Sequence, residues 1–210
     1  MDVKVILEFR DMNFSRRHFI GAVAAGTAGL AAPRASAIVR TGAQPALLPR
    51  AMAALQMHGN SIVHRDVIGI VDFSALSRTP RFHLVDIGNG RVLTTLLVSH
   101  GRGSDPGNLG WVERFSNVPG SNASSSGSFL LGDTYRGKHG LSRKLHGLDA
   151  ANSLAMQRGI VIHAASYVDR ELVLSQGRIG RSQGCFAVAD EDIRLVLACL
   201  GEGRLLFAAK

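Results

Sequence analysis

The segment Gly180-Arg181-Ser182-Gln183-Gly184-Cys185-Phe186-Ala187-Val188 sets one of the chain's two cysteines among small, flexible residues, just ahead of an apolar run. A thiol at a tight turn is open to reactants. Gly184 gives the backbone freedom to bend, so that the amides of Gly184 and Cys185 can face a developing oxyanion, helped by the Ser182 hydroxyl. Some 22 residues upstream, His163 ends the apolar run Ile160-Val161-Ile162 and is followed by Ala164-Ala165-Ser166-Tyr167. A histidine leaving a strand end can reach a neighbouring strand's turn. There it would take the Cys185 proton or pair with the thiolate, which is how a cysteine becomes reactive near neutral pH. A lone cysteine or histidine reads more simply as core, but the pair with these flanks reads as a catalytic dyad.

Other tempting residues carry less. His100, His139, His146 and His163 come without H-E-x-x-H and without paired Cys or carboxylates at ligand spacing, so no metal and no cofactor is expected. Cys199 falls on the apolar face of a late helical segment and reads as core. A Cys185–Cys199 disulfide would block the nucleophile. Gly101-Arg102-Gly103 does not open a helix as a phosphate loop would.

The elements that must position the dyad are mostly strands. Runs at 67–73, 81–87 and 91–98 are strand-like, and Gly88-Asn89-Gly90 marks a hairpin between the last two. Strands resume at 128–131, 159–163 and 204–208. Arg50–His58 reads as a short helix stopped by Gly59, and 191–200 as a helix stopped by Gly201. Residues 99–128, rich in Ser, Gly, Asn and Pro, form a long irregular loop of the kind that usually carries function. The expected fold is mainly β, a flattened barrel or sandwich with a short N-terminal helix and one helix after Cys185.

The chain has 210 residues, 46% hydrophobic content, 24 glycines and a formal charge of +8, which suits one turn-rich domain with an anionic partner. Ser15-Arg16-Arg17-His18-Phe19-Ile20 resembles a twin-arginine export signal. The mildly apolar stretch 21–32 follows it, too short to span a bilayer permanently, and Ala35-Ser36-Ala37 offers a cleavage site. Residues 1–37 therefore read as a signal peptide, 38–65 as a lead-in with a short helix, and 66–210 as the catalytic domain. Asp2, Glu8 and Asp11 do not suit a basic n-region, so Met12 is the expected true start. Removing 1–37 takes away five basic and three acidic residues, which leaves a charge of +6. A periplasmic location follows, with no permanent membrane span and no nucleic-acid partner.

Ser182-x-Gly184-Cys185 with His163 upstream resembles the YkuD-type L,D-transpeptidase signature, in its murein L,D-transpeptidase catalytic-domain branch. Matching stretches run in order: Ser99-His100-Gly101-Arg102-Gly103, Phe115-Ser116-Asn117, Tyr135-x-Gly137-x-His139-Gly140, Leu148-Asp149-x-x-Asn152 and Ile162-His163-x-Ala165-x-Tyr167. The resemblance implies that Cys185 acylates on a peptidoglycan stem peptide, forming a thioester. A second stem then resolves it into a 3→3 cross-link. Water as acceptor would make the enzyme an L,D-carboxypeptidase or endopeptidase, and a catalytically silent wall-binding module is the third reading. The resemblance also implies that carbapenem-type inhibitors acylate Cys185, and that His139, Arg181, Tyr167 and Asn117 bind substrate. The commoner family form has His after the Ser and Arg two positions after the Cys; here stand Gln183 and Ala187. Arg181 or Arg178 would then hold the donor carboxylate. The extra length between His163 and Cys185 reads as a surface loop around 169–176.

Overall fold

A computed structural model describes residues 44–210. The expected signal over 1–37, with its start at Met12, lies outside the described residues. Among the described residues no helix is long and apolar enough to cross a membrane.

The first element is helix α1, Leu48–Met57, two residues longer at its start than the sequence predicts, because Pro49 falls in the first turn, where its missing N–H costs nothing. It buries Ala51, Ala54 and Leu55, an i, i+3, i+4 stripe. Strands β1 (Val67–Asp72), β2 (Phe82–Asp86) and β3 (Arg91–Leu96) follow as an antiparallel meander. The β2–β3 turn is where Gly88-Asn89-Gly90 places it. After a single 3-10 turn at Arg102–Ser104 come β4 (Gly127–Gly137), β5 (Gly140–Gly147) and β6 (Val161–Ala164). Helix α2 (Arg170–Gln176), β7 (Phe186–Val188), helix α3 (Ile193–Cys199) and β8 (Leu205–Ala209) complete the chain.

The eight strands form one sheet in the order β3-β2-β1-β8-β4-β5-β6-β7. It is mainly β, as predicted, but open rather than closed, since β3 and β7 are its two ends. Two pairs are parallel, β1 with β8 and β6 with β7. The last strand thus returns to the middle of the sheet, and both its faces are covered. Leu205, Phe207 and Ala209 join α1, Ile68 and Ile70 in one core, while Leu206 and Ala208 join Phe129, Phe186 and α3 in the other. Period-two alternation explains the split.

Two expectations are corrected. Residues 169–176 are not a loop: Asp169 caps Glu171 N at 2.7 Å and Gly177 ends the helix at φ 70°, so α2 forms although all its residues lie at the surface or half-exposed. And β4 continues to Gly137 into a hairpin with β5, a strand the sequence reading did not contain. Its Arg143 is buried, and donates to the carbonyls of Gly132 at 2.6 Å and Leu197 at 3.2 Å.

The 99–126 stretch has almost no regular structure, yet Ser99, His100, Ser104, Asp105, Ser124 and Ser125 are buried in it. Buried irregular backbone needs partners, and serines supply them. The Ser124 hydroxyl accepts from Gly101 N at 3.0 Å and donates to Gly184 O at 3.2 Å; Ser104 Oγ accepts from Ser124 N at 2.9 Å. The loop is thereby sewn to the turn that carries Cys185.

Candidate active site

Parallel pairing sets the geometry. Ile162 pairs with Phe186 and His163 with Ala187, so Cys185, one residue before β7, falls beside Val161. Residues two apart on a strand share a face. Gly159, Val161 and His163 therefore present to the same side as Cys185, and all four line one cavity of about 780 Å³. The tip of the β4–β5 hairpin closes another wall with Tyr135, Lys138 and His139.

Cys185 is half-buried. Its thiol donates to Gly159 O at 3.4 Å. Burial pushes its thiol up from the ordinary value; the Val161 amide and the charges of Lys138 and Arg158 pull the other way without winning. His163 is buried, with 2% exposure. Its Nδ1 lies 2.8 Å from Ala164 O, which fixes the proton on Nδ1 and leaves Nε2 bare. Burial holds the imidazole below its ordinary value, outweighing the Ala164 carbonyl, and His139 and Lys138 add to the lowering. The His139 ring stacks on the His163 ring, 4.2 Å between centroids. The resting pair is accordingly neutral thiol and neutral imidazole, with the ring already carrying its free lone pair.

The Ser182 turn is built differently from the expectation. Ser182 N donates to His100 O at 2.9 Å, and Arg102 N to Ser182 O at 2.9 Å. The Ser182 hydroxyl donates to Cys185 O at 2.7 Å and accepts from Gly184 N at 3.1 Å. Both functions of that hydroxyl and the Gly184 amide are thus used inside the turn, so they build it rather than face an oxyanion. Of the two amides proposed for that task, Cys185 N–H is the one not spent on Ser182.

Gly184 has φ +117°, and a Cβ there would lie 2.8 Å from both Ala123 O and Ile160 Cδ1. Gly184→Ala is expected to cost about 1–3 kcal/mol of stability and to displace the sulfur. A lowered thermal midpoint with Cys185 alkylation slowed at every pH is the outcome to look for; wild-type behaviour in both would contradict it.

Behind the turn lies a buried polar chain. Arg81 Nη2 donates to His100 Nδ1 at 2.7 Å, and His100 Nε2 donates to Asp105 Oδ2 at 3.2 Å. Arg81 also donates to Val98 O and Ala75 O and lies over the Phe73 ring. Asp105 further accepts from the amides of Leu109 and Gly110, each at 2.8 Å. Burial pushes Arg81 down to about 9 and His100 down to about 4, the latter aided by the Arg81 charge. The chain supports the site because Asp105 O accepts from Arg181 and His100 O from Ser182.

The other predicted residues divide. His139, Arg181 and Tyr167 line the cavity. Burial, then the Cys185 charge, pushes the Tyr167 phenol up to about 12, so it stays a proton-bearing donor. Asn117 lies outside: its amide nitrogen donates to Ala150 O and Ser153 Oγ, each at 3.0 Å, and its oxygen accepts from Leu154 N at 3.0 Å. It ties two loops together. Arg178 is also outside, bonded to Gln176 O. Position 187 is fully buried among Leu97, Ala165, Val168 and Ile179, where an arginine would have no room. The cavity takes its positive charge from Lys138, Arg158 and Arg181 instead, and no carboxylate lines it among the described residues. Lys138 and Arg158 escaped the sequence reading. For Arg158 a signal exists: in parallel neighbours the strand starts lie together, so the turn into β6 must adjoin the turn into β7.

Sequence comparison with curated proteins finds no match. Solved structures similar to this chain include an L,D-transpeptidase from Mycobacterium smegmatis (14% identity, 69% of this chain and 59% of that one, TM-score 0.42). L,D-transpeptidase 3 from Mycobacterium tuberculosis in complex with a faropenem-derived adduct matches at 12% over 69% and 60%, TM-score 0.43. An L,D-transpeptidase from Xylanimonas cellulosilytica matches at 16% over 77% and 70%, TM-score 0.41. The match spans about three fifths of the mycobacterial chains. The family model for the L,D-transpeptidase catalytic domain matches residues 40–209, over half of the sequence, and the chain belongs to that family.

Proposed function

We propose that the protein is a peptidoglycan L,D-transpeptidase working through a Cys185 thioester, exported to the periplasm by a twin-arginine signal over residues 1–37. The observation that carries the reading is that half-buried Cys185 and buried His163, on one face of two parallel strands, line the same cavity with cationic walls.

His163 Nε2 takes the thiol proton as the sulfur attacks the carbonyl between the third and fourth residues of a donor stem peptide. The C–S bond forms and the carbonyl becomes a tetrahedral oxyanion, facing the Cys185 amide and the Tyr167 hydroxyl. Collapse breaks the C–N bond. The imidazolium returns its proton to the leaving D-alanine amine, and a thioester remains. The amine of a second stem then attacks the thioester, His163 again takes the proton, and the sulfur leaves as a thiolate that regains it. The product is a 3→3 cross-link. Arg181 and Lys138 face the carboxylates of the stem. A carbapenem-type ring carbonyl would meet the same sulfur.

The direct test is incubation with tetrapeptide-bearing muropeptides and mass spectrometry of the products. Cross-linked dimer is expected. Tripeptide or cleaved dimer would instead make it a hydrolase with the same dyad, and absence of any Cys185-dependent product would leave only a wall-binding module.

The pH profile is a further expected outcome. Because burial lowers His163 from 6.5, the base stays neutral below that pH, and the acid limb of kcat/KM falls below 6.5. His139→Gln removes a like charge and the ring that shields His163, so the limb moves upward. A limb that stays put or moves down would contradict the role given to His139.

A further inference from the structure

Arg158 ends the turn leading into β6, and its guanidinium is clasped by four oxygens. Nη1 donates to Ser116 O and Ser125 Oγ, each at 2.6 Å, and Nη2 to Ser121 Oγ at 3.2 Å and to Ala123 O. All four are uncharged, and among the described residues Arg158 makes no ion pair. A partly buried cation held only by neutral dipoles is an unusual expense for a fold.

The groups around it show which anion could balance it. The residue after Arg158 is Gly159, whose carbonyl receives the Cys185 thiol. The Ala123 carbonyl that Arg158 holds packs against Gly184, the residue before Cys185. Arg158 and Cys185 line the same cavity, where Lys138 and His139 face them from the hairpin, Arg181 and Gln183 from the Ser182 turn, His163 from β6, and Tyr135 and Tyr167 from the side. No carboxylate is among these. Of the three groups there that can become anions, Tyr167 is held protonated and Tyr135 sits on the hairpin, which leaves the sulfur.

We propose that Arg158 is a positioning residue for the nucleophile: it is kept free of any carboxylate so that the Cys185 thiolate, once formed, is its counter-ion. Its fork meanwhile fixes 116–125 against the nucleophile's turn. The coulombic influence of each group on the other's ionisation agrees in sign with this. The role supplies beside the sulfur the cation that a buried Ala187 cannot. It rests on the reading of Cys185 as the nucleophile.

The test is the pH dependence of Cys185 alkylation by iodoacetamide in the full-length protein. Mass spectrometry of the peptide bearing Cys185 keeps Cys199 separate. Arg158→Gln is expected to slow alkylation about tenfold at pH 7.5, as expected for removing a nearby opposite charge, with the curves converging at alkaline pH where both thiols are ionised. Arg158→Lys keeps the charge but loses the fork, and should stay within about threefold of wild type at every pH. Ser125→Ala loosens the fork and keeps the charge, so it should leave the profile unmoved. A constant offset in Arg158→Gln that persists at high pH, or a tenfold drop in Arg158→Lys, would overturn the proposal. Should Arg158→Gln not fold, Arg158→Met, which also removes the charge, is read by the same two criteria. No peptidoglycan is present in this assay. A shifted profile with no muropeptide product would defeat the transpeptidase reading and leave Arg158 standing, whereas an unmoved profile with normal product would do the reverse.

Discussion

Cys185→Ala abolishes muropeptide processing, lowering the rate by at least about 10³-fold, while the thermal midpoint stays near that of wild type. The size follows from the chemistry: without the sulfur no acyl-enzyme forms, and the remaining cavity can only hold substrate. The small stability effect follows from the contacts. The sulfur has a single long hydrogen bond to Gly159 O and is half-buried, and the turn is held by Ser182 and Ser124, which the substitution leaves alone. Partly exposed sites without special contacts usually change stability by less than about 1 kcal/mol. His163→Ala should lose about 10²–10⁴-fold, the span of a general base, together with the ring stacking on His139. Initial rates of product formation, read beside thermal unfolding, check both. A Cys185→Ala enzyme retaining a tenth of the rate would contradict the assignment.

Asp105→Ala has the largest expected effect on stability, a loss of about 3–5 kcal/mol. The side chain closes the chain from Arg81 through His100, and its oxygens also satisfy two amides. Removing it leaves the buried Arg81 cation with Asp72 as its remaining carboxylate, and three N–H donors without acceptors. Asp105→Asn, which keeps an acceptor, should lose less. Activity should fall in both, since Arg181 and Ser182 lean on this chain through backbone carbonyls. Urea unfolding measures the loss; a change below about 1 kcal/mol would show that the chain is dispensable. The same chain gives stability its pH dependence. His100 in the fold titrates near 4, below its unfolded value, so the unfolded state binds the proton first. Its contribution is complete above 6.5 and is lost as pH falls from there toward 4. His83 and His163, also lowered by burial, act in the same direction.

How much of this could be read in the sequence depends on where the information resides. The meander β1–β3 was legible because apolar runs and a Gly-Asn-Gly turn are local signals; a Cys turn and a strand-ending His are local too, and the fold brings Cys185 and His163 to one cavity. Strand β5 was not: Gly-Leu-Ser-Arg-Lys-Leu-His-Gly looks polar, and only the distant carbonyls of Gly132 and Leu197 make Arg143 acceptable inside. The 99–126 stretch was recognised as important but its nature was hidden. Its serines are interior scaffolding whose partners lie up to 60 residues away. Asn117 illustrates the opposite limit. It belongs to a matching stretch, yet its bonds go to the 150–154 loop, outside the cavity. Ser182 and Gly184 were legible as members of the turn that carries Cys185, but the direction of the Ser182 hydroxyl, into that turn, is a property of three-dimensional closure.

Every step of the mechanism follows from acylation of Cys185. Incubating the protein with a tetrapeptide donor in the absence of an acceptor stem, quenching in acid and measuring intact mass tests it most directly. A mass increase equal to the donor less D-alanine, mapped to Cys185 and absent from Cys185→Ala, is the result expected. An adduct that survives in Cys185→Ala, or that maps to Cys199, would contradict it.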